Sequence, residues 1–460
     1  MTQAGSLTER TLTLLFLCST WSCGATPDPQ PTDAGTTTLV DPLSIPASPT
    51  VDSKAINSAD ECAGCHKEHT RQWRMSRHAF AMRDPVFQRL VELRNATKNN
   101  TEDGFCTQCH STVATRGGDC DAGFQFDALP KIAMEGITCE SCHKSTEVVR
   151  VFNAGHVLDD KATIGGPLKD PVANSFHGHR EAPHMGTSEF CGSCHDVIET
   201  SGLPLERPYA EWSTSPAAKE GQQCQDCHMP LRKGTAAVGG PEREVHSHLF
   251  IGVEAPTGPS AGLTEAERDE VHDAVEKLLL SATELALEVT ETTPTGGQLD
   301  LVMTVYNKIG AHNFPTGSTF LRQVWLDVHV TDAKGATLYR SGDLDANGDL
   351  RDHWSELDPY GDSDLITLSS RFIDLNGNRT IFTWEAAEHT SEAIEPLKER
   401  TWTLFVPVPS DATGPLKVAV KLRFRAYGPF LLRLLGLADL VPQFPIWDIA
   451  SAEAAVTVTP

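Results

Sequence analysis

In five stretches beyond residue 284, apolar and polar positions alternate almost one by one. They are Leu285-Ala-Leu-Glu-Val-Thr290, Leu299-Asp-Leu-Val-Met-Thr-Val-Tyr306, Val324-Trp-Leu-Asp-Val-His-Val330, Thr401-Trp-Thr-Leu-Phe-Val406 and Leu416-Lys-Val-Ala-Val-Lys-Leu-Arg-Phe424. A period of two sends successive side chains to opposite faces of a strand, so each stretch reads as half-buried β-structure. Turn signals such as Thr295-Gly-Gly297 and Ala333-Lys-Gly335 separate them. The pattern predicts an antiparallel β-sandwich over 286–460. Ahead of it, 261–285 has helical spacing with an acidic start that suits a helix N-terminus, and reads as a connecting helix. Residues 56–260 lack any long period. Glu68 to Leu93 reads as helix broken at Asp84-Pro85, Pro208 to Lys219 is helical, and Gly166-Pro167 marks a loop. That part is expected to be mainly α-helical and irregular.

The irregular part carries one motif five times: Cys62-Ala-Gly-Cys65-His66, Cys106-Thr-Gln-Cys109-His110, Cys139-Glu-Ser-Cys142-His143, Cys191-Gly-Ser-Cys194-His195 and Cys224-Gln-Asp-Cys227-His228. Two cysteines three apart can each form a thioether to a porphyrin vinyl group, and the next histidine then lies under the ring as proximal iron ligand. A zinc ribbon also uses Cys-x-x-Cys pairs but needs no histidine after every second cysteine. A thioredoxin-like pair would occur once, beside a βαβ pattern. Five copies predict five covalently bound haem c groups and a pentahaem cytochrome c domain over 56–260.

The chain has 460 residues and 13 cysteines. Ten cysteines belong to the pentads, Cys18 and Cys23 lie near the N-terminus, and Cys120 is left without an internal disulfide partner. Arg10 precedes the apolar run Leu12-Thr-Leu-Leu-Phe-Leu17, which ends in small residues around Ser22-Cys23-Gly24. The run is too short to span a bilayer and reads as an export signal over 1–23. Cysteine followed by glycine there resembles a bacterial lipoprotein processing site, with Cys23 lipidated. Trp21 departs from that pattern, and simple cleavage is the alternative. Export agrees with the cofactor, since c-type haem is attached outside the bacterial cytoplasm. The expected location is the periplasm, or the outer membrane and cell surface as a lipoprotein. Residues 24–55, rich in Pro, Thr, Asp and Ala, read as a flexible linker.

The net charge of −24 is uneven: 56–255 carry 20 basic and 27 acidic residues, 256–460 carry 16 and 30. Such acidity argues against nucleic acid or anionic lipid as partners and suits docking to basic patches on redox proteins. Acidity that merely keeps an exported protein soluble is the plainer account.

Each haem also needs a sixth ligand or an open iron. Beyond the pentads stand 13 histidines, eight of them between 69 and 248. Bis-histidine ligation lowers the potential relative to His/Met and suits electron transfer. His78 is the leading candidate, followed by His248 with His246 as competitor, then His184 and His177 before the fourth pentad and His156 after the third. The alternative for each is a surface or propionate-bonding histidine. Met75, Met82, Met185 and Met229 are read as packing.

Several segments around the pentads resemble the multihaem c-type cytochrome family that includes the tetrahaem electron acceptor of hydroxylamine oxidoreductase. They are Trp73-Arg-Met-Ser-Arg-His78-Ala, Glu135-Gly-Ile-Thr-Cys139-Glu-Ser-Cys142-His143, Ser188-Glu-Phe-Cys191-Gly-Ser-Cys194-His195-Asp, and Gly202-Leu-Pro-Leu-Glu-Arg-Pro-Tyr-Ala-Glu-Trp212-Ser running on to Cys224. The resemblance, over about 56–252, implies that His78, His184 and His248 are distal ligands, each supplied to a haem other than the one beside it in sequence. It also implies stacked and angled haem pairs. Five pentads depart from that relative's four, which leaves the extra haem's ligand open. Farther on, Val305-Tyr-Asn-Lys-Ile-Gly-Ala-His312-Asn-Phe-Pro-Thr-Gly317 is similar to a Gly-His-x-x-Pro-Thr-Gly segment of some exported multihaem cytochromes, with Ala311 in place of the glycine. Pro315 and Gly317 would fix a turn able to present His312 to a haem; a turn histidine docked between domains is the alternative. The loop Asp343-Leu-Asp-Ala-Asn347-Gly348-Asp349 follows part of a calcium-loop pattern, but Trp354 occupies the place of the bidentate glutamate. An acidic connecting loop is the simpler reading, with calcium as the alternative.

The expected function is electron transfer between redox partners, such as other cytochromes or a quinol-oxidising membrane complex, rather than catalysis. The alternative is a haem oxidoreductase with one open iron acting on hydroxylamine or nitrite. The Cys-x-x-Cys-Lys variant of pentahaem nitrite reductases is absent.

Overall fold

Proline and short polar caps divide the first half into brief helices. The computed structural model describes residues 49–460, which leaves the expected export segment, Cys23 and most of the 24–55 linker outside the described residues. The described residues belong to one compact unit, Asp41–Pro460. Helices α1 (Ala59–Ala63), α2 (Lys67–Arg74), α3 (Arg77–Phe80), α4 (Pro85–Thr97), α5 (Gly104–His110), α6 (Thr112–Gly117), α7 (Lys131–Met134) and α8 (Cys139–His143) follow one another. The helix expected from Glu68 to Leu93 breaks twice. At Asp84-Pro85 the proline lacks an N–H, and the Asp84 carboxylate accepts the Val86 N–H at 2.9 Å. A second break falls at Ser76, whose hydroxyl donates to the Trp73 carbonyl at 2.7 Å and caps α3 by accepting the Ala79 N–H at 3.4 Å.

Helices α9 (Ser188–Gly192), α10 (Pro208–Ser213), α11 (Pro216–Lys219) and α12 (Cys224–His228) complete this half. The 208–219 helix is thus split before Pro216. Four two-stranded ladders lie among them: β1 (Ser145–Val148) with β2 (His156–Leu158), β3 (Gly165–Gly166) with β4 (Arg180–Glu181), β5 (Val197–Ile198) with β6 (Pro204–Glu206), and β7 (Leu231–Thr235) with β8 (Glu242–His246).

The connecting helix α13 runs Glu265–Ala282. Its capping box is closed: the Thr264 hydroxyl accepts the Glu267 N–H at 3.3 Å, and Glu267 accepts the Thr264 N–H at 2.9 Å. Val271, Val275 and Leu279, spaced by four, form its buried stripe.

Eleven strands follow among the described residues: β9 (Thr283–Val289), β10 (Thr292–Pro294), β11 (Gln298–Asn307), β12 (Gln323–Thr331), β13 (Thr337–Ser341), β14 (Arg371–Asp374), β15 (Arg379–Thr380), β16 (Ala386–Thr390), β17 (Glu399–Pro407), β18 (Leu416–Arg425) and β19 (Trp447–Thr459). They form sheets of order β10-β19-β18-β12-β13, β17-β11-β9 and β15-β14-β16. All five alternating stretches lie in strands. One pair departs from the antiparallel expectation, since β10 runs parallel to β19. The five-stranded sheet and the β17-β11-β9 sheet share one core, with Leu299, Leu301, Met303 and Val305 of β11 meeting Val324, Leu326 and Val328 of β12 and Val418, Val420 and Leu422 of β18. The helix α14 (Pro429–Leu434) packs Leu431 and Leu432 beside Val86 of α4. No helix among the described residues is long and apolar enough to cross a membrane.

The two halves meet over buried charge. Glu254 takes Arg77 at 3.1 Å on one carboxylate oxygen and Arg322 at 2.7 Å on the other, while Arg77 also pairs with Asp84.

Candidate haem centres

A single helical turn puts residues three apart on one side, and the second, third and fifth pentads lie within α5, α8 and α12, while the first and fourth start in the last turns of α1 and α9 and run on into the turns that follow. Polar staples join the pentads. The Glu135 carboxylate accepts the Ala59 N–H at 3.0 Å, the Ser58 hydroxyl, and the Thr138 hydroxyl at 2.9 Å, which ties the first pentad's helix to the approach of the third. The Gln223 side-chain carbonyl accepts the Ser188 N–H at 2.8 Å, and the Ser188 hydroxyl accepts the Cys224 N–H at 3.0 Å, which joins the fourth pentad to the fifth. Thiols of different pentads shift one another's titration: Cys62 raises Cys139, Cys194 raises Cys109, and Cys224 raises Cys191. Burial pushes the Cys106 thiol up to about 11 and Cys142 up to about 12.

Four pentad histidines face a second imidazole from a distant part of the chain. The ring centroids of His66 and His177 are 6.2 Å apart, His195 and His78 6.1 Å, His143 and His248 6.5 Å, and His228 and His312 6.4 Å. The ring planes differ by 21°, 36°, 8° and 23° respectively. Two imidazole nitrogens each about 2 Å from one metal ion put their ring centroids on the order of 6 Å apart. The gaps therefore have the width of one shared metal ion.

Tautomers agree with that fit. A carbonyl only accepts, so an imidazole bonded to it through Nδ1 carries its proton there and keeps the Nε2 lone pair bare. Nδ1 of His66 donates to the Ala236 carbonyl at 2.7 Å, His143 to Gly165 at 2.7 Å and His228 to Ile251 at 2.5 Å. Opposite them, His177 donates to Gly178 at 2.8 Å, His248 to His246 at 3.0 Å and His312 to Asn313 at 2.9 Å. Burial favours the neutral form a metal ligand needs at five of the facing rings: it lowers His143 and His228, and pulls His78 and His248 down to about 3 and His312 to about 4.

Neighbours aim the distal rings. The Gln72 side-chain carbonyl accepts the His248 N–H at 2.8 Å, and the His78 carbonyl accepts the Ile137 N–H at 3.0 Å. Trp73 Nε1 donates to the Ile137 carbonyl at 2.7 Å. His246 instead turns its Nδ1 to the Met229 carbonyl at 2.7 Å, leaving the facing position to His248.

The remaining candidates stand elsewhere. His156 lies 3.2 Å from the Ser193 hydroxyl and 3.9 Å from the Cys194 sulfur, beside the fourth pentad rather than opposite a proximal ring. The His184 ring lies 5.7 Å from that of Phe190, edge to face, and meets no pentad histidine among the described ring contacts. The second pentad also differs. His110 stacks on Phe87 at 3.9 Å with planes 11° apart, and among the described residues no imidazole faces it at the separation of the other four. Burial pulls His110 down to about 4.

Sequence reasoning missed the residues that hold the His312 turn. The Glu211 carboxylate in α10 accepts the Asn313 N–H at 3.1 Å and the Thr316 hydroxyl at 2.6 Å. From the other side, the Asn307 side-chain amide donates to the His312 carbonyl at 3.1 Å and to the Ile394 carbonyl at 2.9 Å. Glu211 belongs to a segment the sequence had marked by resemblance, but its partners lie about a hundred positions away. In the acidic loop, the carboxylates serve the fold. Asp345 accepts the Asn347 and Asp349 N–H groups at 2.8 and 3.0 Å and the Ser355 hydroxyl at 2.6 Å. Asp343 pairs with Arg351 at 2.6 Å, and Asp349 with Arg433. With these oxygens held by backbone, hydroxyl and arginine, the loop takes the form of the acidic connection, the simpler of the two readings. No group of three His, Cys, Asp or Glu among the described residues converges as a metal cage.

A family model described as cytochrome c554 and c-prime matches residues 61–144, the stretch holding the first three pentads. No curated protein matches. Among solved structures, a penta-heme cytochrome c552 from Thermochromatium tepidum aligns with a TM-score of 0.58 at 20% identity, covering 87% of this chain and 99% of that one. The C-terminal domain of wzt and the ApaA protein of Bordetella pertussis align at TM-scores of 0.17 and 0.16, with 10% and 11% identity, over 38% of this chain and 71% and 96% of theirs. Scores that low carry no weight. Similar to the c554 family through three of its pentads, and to a pentahaem cytochrome in fold, the chain has a multihaem-cytochrome-like first half followed by a β-rich second half.

Proposed function

We propose that this protein is a five-haem c-type cytochrome that carries electrons between redox proteins outside the bacterial cytoplasm. Cys62, Cys65, Cys106, Cys109, Cys139, Cys142, Cys191, Cys194, Cys224 and Cys227 would hold the haems as thioethers, with His66, His110, His143, His195 and His228 as proximal ligands. Each bound haem supplies an iron that cycles between ferric and ferrous. His177, His248, His78 and His312 are the distal partners of the first, third, fourth and fifth groups. The observation that carries the reading is the four opposed imidazole pairs at 6.1–6.5 Å. Held between two such imidazoles, a bound haem would have no protein-free side for substrate, which suits electron transfer.

The hydrogen bonds that join the first pentad to the third and the fourth to the fifth support a contiguous relay. Cys65 and Cys227 are the exposed pentad thiols, which supports the first and fifth groups as its contact points with partners. A net charge of −24 favours partners with basic docking faces, such as another cytochrome or a quinol-oxidising complex. Export, with lipid attachment at Cys23, completes the proposal. Electron paramagnetic resonance of the purified holoprotein tests it: at least four low-spin irons and a mass increment of five haems are expected. Fewer than four low-spin irons would overturn the relay.

The second pentad favours one further reading. His110 has Phe87 for a neighbour and, among the described residues, no imidazole at the separation of the other four pairs, which favours a group with an open side. Carbon monoxide or cyanide binding at one iron only would place the small-molecule chemistry there.

A further inference from the structure

The turn that presents His312 is gripped from the other half of the chain. Among the described residues it is the β-rich half's contribution to an opposed imidazole pair, lying 6.4 Å from His228. Its turn leaves β11 and crosses to the first half, where four bonds receive it. Gly310 accepts the Ala217 N–H at 3.0 Å, Glu211 takes the Asn313 N–H and the Thr316 hydroxyl, and Glu206 accepts the Ser318 hydroxyl at 2.5 Å. Glu211 is central because one carboxylate oxygen holds both ends of the turn, the residue after His312 and the residue four beyond it. Its helix is fixed in turn, since Trp212 Nε1 donates to the Gln222 carbonyl at 3.0 Å, one residue before the capping Gln223 of the fifth pentad's helix. Glu211 thus links the proximal side of the fifth centre to its distal ligand.

The geometry points to Glu211 as a positioning residue for the fifth haem, setting the reach and angle of the His312 imidazole across the boundary between the two halves. This rests on the haem reading above. A carboxylate suits the task because one oxygen can accept two hydrogen bonds at once. Burial raises the Glu211 carboxyl above its ordinary range, and the bonds from Thr316 and Asn313 oppose that rise. An alanine would leave the Asn313 N–H and the Thr316 hydroxyl without their acceptor and would free the turn to drift.

The test uses full-length holoprotein. Five variants, Glu211→Ala, Glu211→Gln, Thr316→Val, His312→Ala and the double variant Glu211→Ala with His312→Ala, are compared for haem content by mass, for low-spin count by electron paramagnetic resonance, and for the potential of each centre by spectroelectrochemistry. His312→Ala should convert one low-spin iron to high spin with five haems retained. Glu211→Ala should convert or shift that same centre alone, and the double variant should add nothing to His312→Ala. Glu211→Gln, whose amide oxygen still accepts, should restore the parent spectrum. Thr316→Val, which keeps the Asn313 bond, should shift the same potential by a smaller amount, and decides the matter should the alanine variant fail to fold. If His312→Ala changes its centre while Glu211→Ala, or in its absence Thr316→Val, leaves every potential unmoved, the positioning role is wrong. An unchanged spectrum in His312→Ala would instead remove the ligand assignment beneath it.

Discussion

Arg322, carried by the β-rich half, sets its Nη1 2.7 Å from Glu254 Oε2 in the first half, and Arg77 approaches the other oxygen of the same carboxylate at 3.1 Å. The Glu254 side chain is 5% exposed. Two guanidinium groups on one buried carboxylate make its removal costly, because both charges stay behind without their partner.

Glu254→Ala is therefore expected to destabilise the protein by about 3 kcal/mol, the low end for breaking a buried pair because Arg77 keeps Asp84. Urea denaturation of parent and variant measures it. A loss below about 1 kcal/mol would mean that the arginines find water or other acids at no great cost.

Gly136 connects the third pentad to the His78 segment. Its φ is +68°, and a Cβ there would fall 2.4 Å from the His78 carbonyl oxygen. Gly136→Ala must move one of the two chains. The fourth centre, facing His78, should change its low-spin signature while the others keep theirs, and paramagnetic resonance before and after the substitution reads this out.

His248 and His184 offer a contrast, since both were expected as distal ligands and only His248 faces a pentad histidine. Alanine at His248 should turn one low-spin iron high-spin and open it to carbon monoxide. Alanine at His184 should leave the low-spin count as it was. The reverse pattern would reassign the third and fourth centres.

The capping box of α13 gives a pH dependence. Backbone bonding to the Thr264 N–H, followed by the Thr264 hydroxyl, holds the Glu267 carboxyl below its ordinary range. A carboxyl depressed in the folded state stabilises above its unfolded pKa, about 4.3, and loses that contribution as the pH falls through the lower folded value. Glu267→Gln should thus weaken the protein near neutrality, with the difference shrinking below about pH 4. Thr264→Ala should cost about 1 kcal/mol. Thermal unfolding at a series of pH values checks both.

Local chemistry made much of this legible. The pentads are written in five consecutive residues each, and strand alternation in β9, β11, β12, β17 and β18 follows from one buried face per strand. β19 escaped notice because its Ala450, Ala452, Ala454 and Ala455 carry too little contrast between faces. The hairpin β14-β15-β16 was missed because its strands are short and bounded by Asx turns, as at Asp374. Ligand pairing is less accessible still. His66 and His177, or His143 and His248, are separated by about a hundred residues, and no local pattern encodes which distant imidazole arrives. Candidates could be ranked by position, which favoured His78 and His248 but also His184. Only the packed chain distinguishes a histidine facing an iron site from one resting on Phe190.

The turn bearing His312 hangs from β11, and β11 is held by β17, whose register pairs Val305 with Arg400. Contacts that far apart in sequence form late, after a large loop has closed. On the proposed reading, the fifth centre reaches its final coordination only once the sheet that carries β11 has formed. A molecule whose C-terminal sheets were still open would carry that iron in a reactive form, and their completion would quench it.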